Sequence, residues 1–247
     1  MRDSPLQTIH LSRAFGTVVA LRDINLEVAR GEFVAIVGPS GCGKTTLLSL
    51  FSGYDKPTSG TVIRNGRVRT VFQRDGLFPW LTCAENIELG LRGLSNFSER
   101  DEQMRRLLGL INLNGFSKRY PHQLSGGMRQ LVELARALAG DTDILLMDEP
   151  FSALDYLLRL RMRGELVRLL HKCPRTVVFV THDIEEAAQL ADRIVVLTER
   201  PGRIRSEVTL DAPRPRSPTD PTVVGAVHRI LTDMGIESDP SAPEFSL

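Results

Sequence analysis

Four short stretches of the chain are apolar with almost no polar interruption: EFVAIV at 32–37, ILLM at 144–147, TVVFV at 176–180 and RIVVL at 193–197. A strand with one wet face alternates apolar and polar residues; a strand covered on both faces does not. These runs therefore predict buried strands of a parallel sheet. Between them the period changes. KTTLLSLF at 44–51 predicts a helix directly after the first strand, and Leu158, Met162, Leu166, Leu169 and Leu170 fall on one helical stripe. Asp183, with Glu186 three residues on, predicts a capped helix start before Ala187, Ala188 and Leu190. Strand and helix in alternation predict an α/β domain.

The middle of the chain lacks that alternation. From about 94 to 139 the pattern is helical, with an amphipathic stretch at 98–113 and a stripe of Met128, Leu131, Val132, Ala135 and Leu138. This predicts a helical subdomain at about 76–142, inserted into a core of about 6–75 and 143–205. Residues 212–221 carry four prolines in ten and predict an extended segment within a tail at 206–247, where 223–231 could form a short last helix.

Composition narrows the functional classes. The 247 residues carry 31 Lys+Arg against 30 Asp+Glu, a net charge of +1. Binding to nucleic acid through bulk charge needs a strongly basic face, so no nucleic-acid partner is expected. Three cysteines, Cys42, Cys83 and Cys173, lie far apart and give neither a disulfide framework nor paired metal-ligand spacing. A reduced, cytosolic setting is expected. No signal-peptide core is visible at the N-terminus, and no run approaches the roughly 20 apolar residues of a membrane span. Work at a membrane would require another chain to do the spanning.

The strand at 32–37 runs into Gly38-Pro39-Ser40-Gly41-Cys42-Gly43-Lys44-Thr45, which fits G-x-x-x-x-G-K-[ST] and opens a helix. The glycines let backbone N–H groups curl around an anion without a Cβ clash, and the helix contributes its positive end. Lys44 can reach β- and γ-phosphates, and the Thr45 hydroxyl can ligate Mg²⁺. Alone, such a segment could be a chance glycine-rich turn; the strand before it and the helix after it argue otherwise. Cys42 could be a redox residue or a small side chain filling a tight turn, and the second reading is preferred.

ILLMDEP places Asp148 and Glu149 at the end of another buried strand, 104 residues after Lys44. The pair could be a plain acidic turn. Beside a phosphate loop, Asp148 would hold Mg²⁺ and Glu149 would orient or deprotonate the attacking water. His182 follows TVVFV, and a residue at that strand edge can reach the ligand crevice. Gln73 could see the metal or the water. Leu124-Ser125-Gly126-Gly127-Met128 stands before a second helix, where a hydroxyl and bare N–H groups make another anion site. One nucleotide does not need two such sites on one chain, so the second is expected to serve a nucleotide held by another copy.

Taken together, these motifs resemble the ATP-binding subunit of an ATP-binding cassette (ABC) transporter over about 6–205. GPSGCGKTTLL resembles Walker A, VFQ the Q-loop at Gln73, LSGGM the signature, ILLMDEP Walker B, SALD at 152–155 the D-loop, and His182 the H-loop. Phe15, 29 residues before Lys44, stands where the family places an aromatic against adenine. The resemblance implies a P-loop NTPase (RecA-like) core, an N-terminal antiparallel β subdomain and the inserted helical subdomain. It implies ATP and Mg²⁺ as ligands, with residues 38–46, including Thr46, around the phosphates. It also implies a head-to-tail dimer with Ser125, Gly126 and Gly127 across from the other copy's loop and Asp155 crossing the interface. Gln73, Glu149 and His182 would be catalytic; Thr45, Gln73 and Asp148 would hold the metal.

FPWLTCAENIELGL, THDIEEAAQLADRIVVL and ERPGRI resemble the importers of nitrate, taurine and aliphatic sulfonates. That implies membrane-spanning permease subunits, an extracytoplasmic solute-binding protein acting indirectly, and a peripheral place on the cytoplasmic face of the inner membrane. Two departures stand out. Met128 replaces the usual Gln, which leaves the hydroxyl and N–H donors intact. Only 29 residues separate Lys44 from Gln73, so a hairpin before Gln73 is expected to be trimmed. A soluble ABC ATPase acting on DNA or ribosomes is the alternative, disfavoured by the single cassette and by the lack of a heptad-bearing coiled coil between Lys44 and Ser125.

Overall fold

The computed structural model describes residues 4–72, 76–94, 96–140, 142–152, 154–172 and 174–236. In chain order its elements are β1 (Leu6–Phe15), β2 (Val18–Val28), β3 (Phe33–Val37), α1 (Lys44–Ser52), β4 (Ser59–Arg64), β5 (Val68–Val71), α2 (Cys83–Leu91), α3 (Phe97–Leu110), α4 (Gly126–Ala139), β6 (Ile144–Asp148), α5 (Tyr156–Lys172), β7 (Thr176–Val180), α6 (Ile184–Leu190), β8 (Arg193–Leu197), β9 (Ile204–Thr209) and α7 (Pro221–Asp233). They form two compact units. The first comprises Met1–Leu6, Val28–Gly31 and Ile63–Val178; the second comprises Gln7–Glu27, Glu32–Val62 and Phe179–Leu247.

The second unit holds most of an antiparallel sheet of order β2-β1-β4. In β2, Ile24, Leu26 and Val28 are buried while Asn25 and Glu27 are exposed, the period of a strand with one wet face. The same unit carries strands in the order β7-β3-β8-β9, where β8 runs parallel to β3 (Val34 opposite Arg193, Val37 opposite Val196) and β9 antiparallel to β8. All five residues of β3 are buried, and Phe33 packs its ring against Phe179 at 5.7 Å. The uninterrupted apolar run is thus the signature of a central strand.

The first unit carries β5-β6-β7, with β5 parallel to β6 from Val68 opposite Ile144 to Val71 opposite Met147. Its helices are α2 to α5. Strand β7 begins in this unit at Thr176 and ends in the other at Val180. The segment expected to be trimmed thus forms two short strands, β4 and β5, one in each sheet.

Several helix starts follow local chemistry. Thr82 and Glu85 form a capping box on α2, Asn96 caps α3, and Asp183 accepts from the Glu186 N–H at α6, as the sequence predicts. Past residue 205 the chain stays in register: β9 pairs with β8 out to Thr209, and α7, capped by Asp220, packs on α6. Within the first unit, α4 ends under two guanidinium groups. Arg69 donates to the Arg136 and Gly90 carbonyls at 3.0 Å each, and Arg175 to those of Leu138 and Gly140 at 3.2 and 2.8 Å. Cations at a helix C-terminus satisfy its last carbonyls and oppose its negative end.

Candidate nucleotide site

In the second unit, β3 runs into the glycine-rich loop and the loop into α1. Gly43 is the N-cap of α1 at φ 105°, with no side-chain bond to the first turn and no acidic residue in that turn. The first N–H groups of α1 are thus left for an anion. Gly43 is also close to its neighbours: a Cβ there would lie 2.7 Å from Leu21 Cδ2. Lys44 is 9% exposed, and its Nζ donates to the carbonyls of Gly38 (2.7 Å) and Pro39 (3.0 Å). Its ammonium is held over the loop by neutral oxygens, which a phosphate would outcompete. Thr45 is exposed beside it.

A second layer supports the loop. Leu21 bridges to Gly202, whose N–H donates to the Ala20 carbonyl at 2.9 Å and whose carbonyl accepts from Arg22 N–H at 2.9 Å. A Cβ on Gly202 would come within 2.1 Å of the Cys42 carbonyl oxygen. The Cys42 side chain is itself buried, and burial pushes its thiol above the ordinary range despite the attraction of Lys44. A raised thiol pKa disfavours the thiolate, which is the reactive form, so the bland reading of Cys42 fits better.

His182 lies in the same unit. Thr181 N–H donates to the Ile36 carbonyl, so β7 ends beside β3. Thr181 Oγ1 bonds Glu186 Oε2 at 2.6 Å and accepts from Asp183 N–H at 3.0 Å. His182 stands exposed on that tied corner. Phe15, half exposed at the end of β1, has the Arg13 guanidinium 4.3 Å from its ring centroid, and Arg13 is held by Asp55 at 2.8 Å.

The first unit holds the other residues. Asp148 ends β6 and is buried; Glu149 follows at φ 46°, a left-handed conformation that costs a non-glycine residue of order 1 kcal/mol or more. Its carbonyl accepts from Gln130 Nε2 (3.1 Å), Ser152 N–H (3.1 Å) and Ser152 Oγ (2.9 Å). Ser125 caps α4, its oxygen accepting from Met128 N–H at 3.2 Å. Helix α4 begins at Gly126, so both glycines lie inside its first turn. Residue 128 serves the cap through its backbone. Asp155 Oδ1 accepts from Leu158 N–H at 3.0 Å, a helix-starting bond the sequence reading did not give it.

Gln73 lies outside the described residues. Its described flanks are tied to α4: Glu133 Oε1 accepts from Phe72 N–H at 2.8 Å, and Arg136 donates to the Gly76 carbonyl. A Cβ on Gly76 would stand 2.1 Å from Glu133 Oε1. Next along, the Phe78 and Trp80 rings pack tilted at 49° with centroids 5.4 Å apart, and stay 42% and 68% exposed. Gln130, Glu133 and Arg136 escaped the sequence reading. The available signal was the row of polar residues on α4 beside an apolar stripe, since buried polar groups need partners.

The sequence pattern of the ABC transporter family matches residues 21–152. The chain belongs to the ABC transporter family. It is an ATPase of that family. The chain is 44% identical over 222 residues to a nitrate import ATP-binding protein of Synechocystis sp., which covers 84% of this chain and 83% of that one. It is 40% identical over 238 residues to an aliphatic sulfonates import ATP-binding protein of Burkholderia cenocepacia, with 92% and 86% covered. Among solved structures it is similar to a dimeric bacterial ABC transporter cassette, at TM-score 0.76 and 34% identity over 84% of this chain and 99% of that one. A dimeric post-hydrolysis structure of that cassette with ADP and Pi gives TM-score 0.74 at the same identity and coverage. The ABC fold expected from the motifs is therefore the fold observed: α/β, with an antiparallel β subdomain and a mixed sheet. No helix among the described residues is long and apolar enough to cross a membrane.

Proposed function

We propose that this ABC ATPase energises an importer of a small anion such as nitrate, taurine or an aliphatic sulfonate. The observation that carries this is the pair of import ATP-binding relatives, 40–44% identical over more than four-fifths of the chain. In this reading two copies pair head to tail. Residues 38–46 of one cradle the phosphates, with Lys44 on the β- and γ-phosphates, and Phe15 stacks on the adenine. Ser125, Gly126 and Gly127 of the other copy donate to the same triphosphate. The Ser125 oxygen already accepts from Met128 N–H, so its hydroxyl proton is the group left to donate.

Thr45 and Asp148 offer the oxygen donors that Mg²⁺ takes and would hold it beside the nucleotide. Gln73 joins them. Bound Mg²⁺ supplies charge neutralisation at the β- and γ-phosphates. Glu149 takes the proton of the attacking water, His182 steadies the γ-phosphate, and Asp155 meets the partner copy. The exposed Phe78–Trp80 pair gives the membrane-spanning permease subunits an aromatic surface, and the solute-binding protein acts through them. The chain then sits on the cytoplasmic face of the inner membrane without entering it.

Affinity purification from detergent-solubilised native membranes tests this reading. Permease subunits and a solute-binding protein should co-purify. A chain found only in the soluble fraction with ribosomes or DNA would overturn it. The paired arrangement has its own test: mixing Ser125→Ala with Lys44→Ala subunits should restore one working site per mixed dimer. Verified mixed dimers without ATPase activity would rule out action across the pair.

A further inference from the structure

The first unit contains a cavity of about 560 Å³ that no step of the ATPase cycle uses. It lies among the end of α2, helix α3, the last turn of α4 and the last two turns of α5. Its size falls within the roughly 300–1,000 Å³ of small-molecule sites. Leu107, Leu110, Leu138 and Leu169 supply an apolar lining, with Leu107 on the buried floor. Around them stand Arg106 on α3, Arg168 and Lys172 on α5, and Arg175 beyond it. Among the described residues, Glu165 is the one carboxylate on the wall, and it is bonded to Arg168. Four cations against one carboxylate leave a surplus of positive charge over an apolar floor.

Part of that charge serves the fold. Arg175 holds the last carbonyls of α4, as described above, and Arg168 pairs with Glu165. Arg106 and Lys172 are exposed positions on two different helices, facing the same cavity. An inorganic anion would gain nothing from the leucines, and a neutral apolar molecule nothing from the cations. The chemistry that uses both is an acidic head on an aliphatic or aromatic body.

We propose that this cavity binds a small amphiphilic organic anion, its apolar body among the leucines of α3, α4 and α5 and its acidic group at Arg106 and Lys172. The site lies wholly within the first unit and shares no residue with the phosphate loop. It stands whether or not the importer assignment holds, because its test reads binding alone.

The full chain, with the phosphate loop occupied by ADP and Mg²⁺, is titrated calorimetrically with butane-, hexane- and octanesulfonate. One saturable site is expected, with affinity rising about fourfold per added methylene. Hexanol, which lacks the charge, should bind at least tenfold more weakly than hexanesulfonate. The exposed-site variants Arg106→Glu and Lys172→Glu should each weaken octanesulfonate by tenfold or more while leaving the melting temperature unchanged. In amide spectra, shifts should centre on residues 106–110 and 168–172. Absence of saturable binding, affinity independent of chain length, full affinity in the double charge variant, or shifts confined to residues 38–46 would each overturn the proposal.

Discussion

Gln130 Nε2 donates to the Glu149 carbonyl across 3.1 Å, and so ties the helix capped by Ser125 to the residue proposed to activate water. The same carbonyl takes two bonds from Ser152, and Glu149 holds a left-handed φ of 46°. Three donors on one carbonyl over-determine a conformation that would otherwise relax. Through Glu133 and Arg136, α4 also holds both described flanks of the segment containing Gln73. One helix therefore positions three elements of the proposed chemistry.

Gln130→Ala should lower kcat by roughly ten- to a hundredfold, the scale set by misplacing a reacting group by an ångström. The KM for ATP should stay nearly constant, because the Gln130 bond acts on the Glu149 backbone. Steady-state ATPase kinetics check this. An unchanged kcat would show that the Ser152 bonds alone fix Glu149.

Glu149→Gln removes the carboxylate and leaves those backbone bonds in place. Turnover should fall by roughly a hundred- to ten-thousandfold, the usual contribution of a general base, while ATP binding persists. Trapped ATP should hold the copies together, so size-exclusion chromatography with ATP should show a dimer. Hydrolysis at the wild-type rate would remove Glu149 from the role of base.

Why some of this was legible in the sequence and some was not follows from how far each requirement reaches along the chain. Strands β3, β6 and β7 were readable because burial on both faces admits no polar residue, which writes the strand as an unbroken run. The phosphate loop was readable because curling N–H groups around an anion is a local demand on glycine and lysine spacing. Asp183 as a cap was readable for the same reason. Strand β9, IRSEVT, mixes polar and apolar residues at a sheet edge and gave no such signal. Gln130, Glu133 and Arg69 act on carbonyls or N–H groups 19 to 67 residues away, and no local pattern encodes such a partner. Gly202 was noticed within ERPGRI only as a resemblance; its closeness to Cys42 exists only after folding.

Lys44→Ala deletes the ammonium that bridges the Gly38 and Pro39 carbonyls. A bond to a charged group contributes about 1.5–3 kcal/mol, so ATP affinity should drop by roughly ten- to a hundredfold or more. Calorimetric titration with ATP decides it, and full affinity would exclude the phosphate role. Lys44→Arg should restore little, since a planar guanidinium does not fit where a compact ammonium meets two carbonyls.

Cys42 and Cys83 are both buried, and burial raises both thiols, Cys83 to about 11. A raised pKa leaves little thiolate at pH 8, and thiolate is the form that alkylates. Iodoacetamide at pH 8 should therefore spare both residues in the folded protein and label them in denaturant, as peptide mass spectrometry would show. Rapid labelling of Cys42 in the native chain would reinstate it as a reactive residue of the loop.

Gly202→Ala tests the support behind the loop. The added methyl meets the Cys42 carbonyl oxygen at 2.1 Å, a distance Cβ atoms do not adopt, and the obstacle is backbone rather than a side chain that could rotate away. Either the residue 202 turn or the loop must move. Overpacking of this kind costs about 1–3 kcal/mol, so the melting temperature should fall by several degrees. Because the loop is one of the two parts that can yield, ATP affinity should fall with it, although Gly202 makes no proposed contact with nucleotide. The control is Gly164→Ala on α5, where the added carbon meets nothing within 4 Å and a helix gains from the change. That variant should keep both stability and ATP affinity. A Gly202→Ala protein that also keeps both would mean the turn gives way on its own, and Gly202 would then have no part in shaping the phosphate loop.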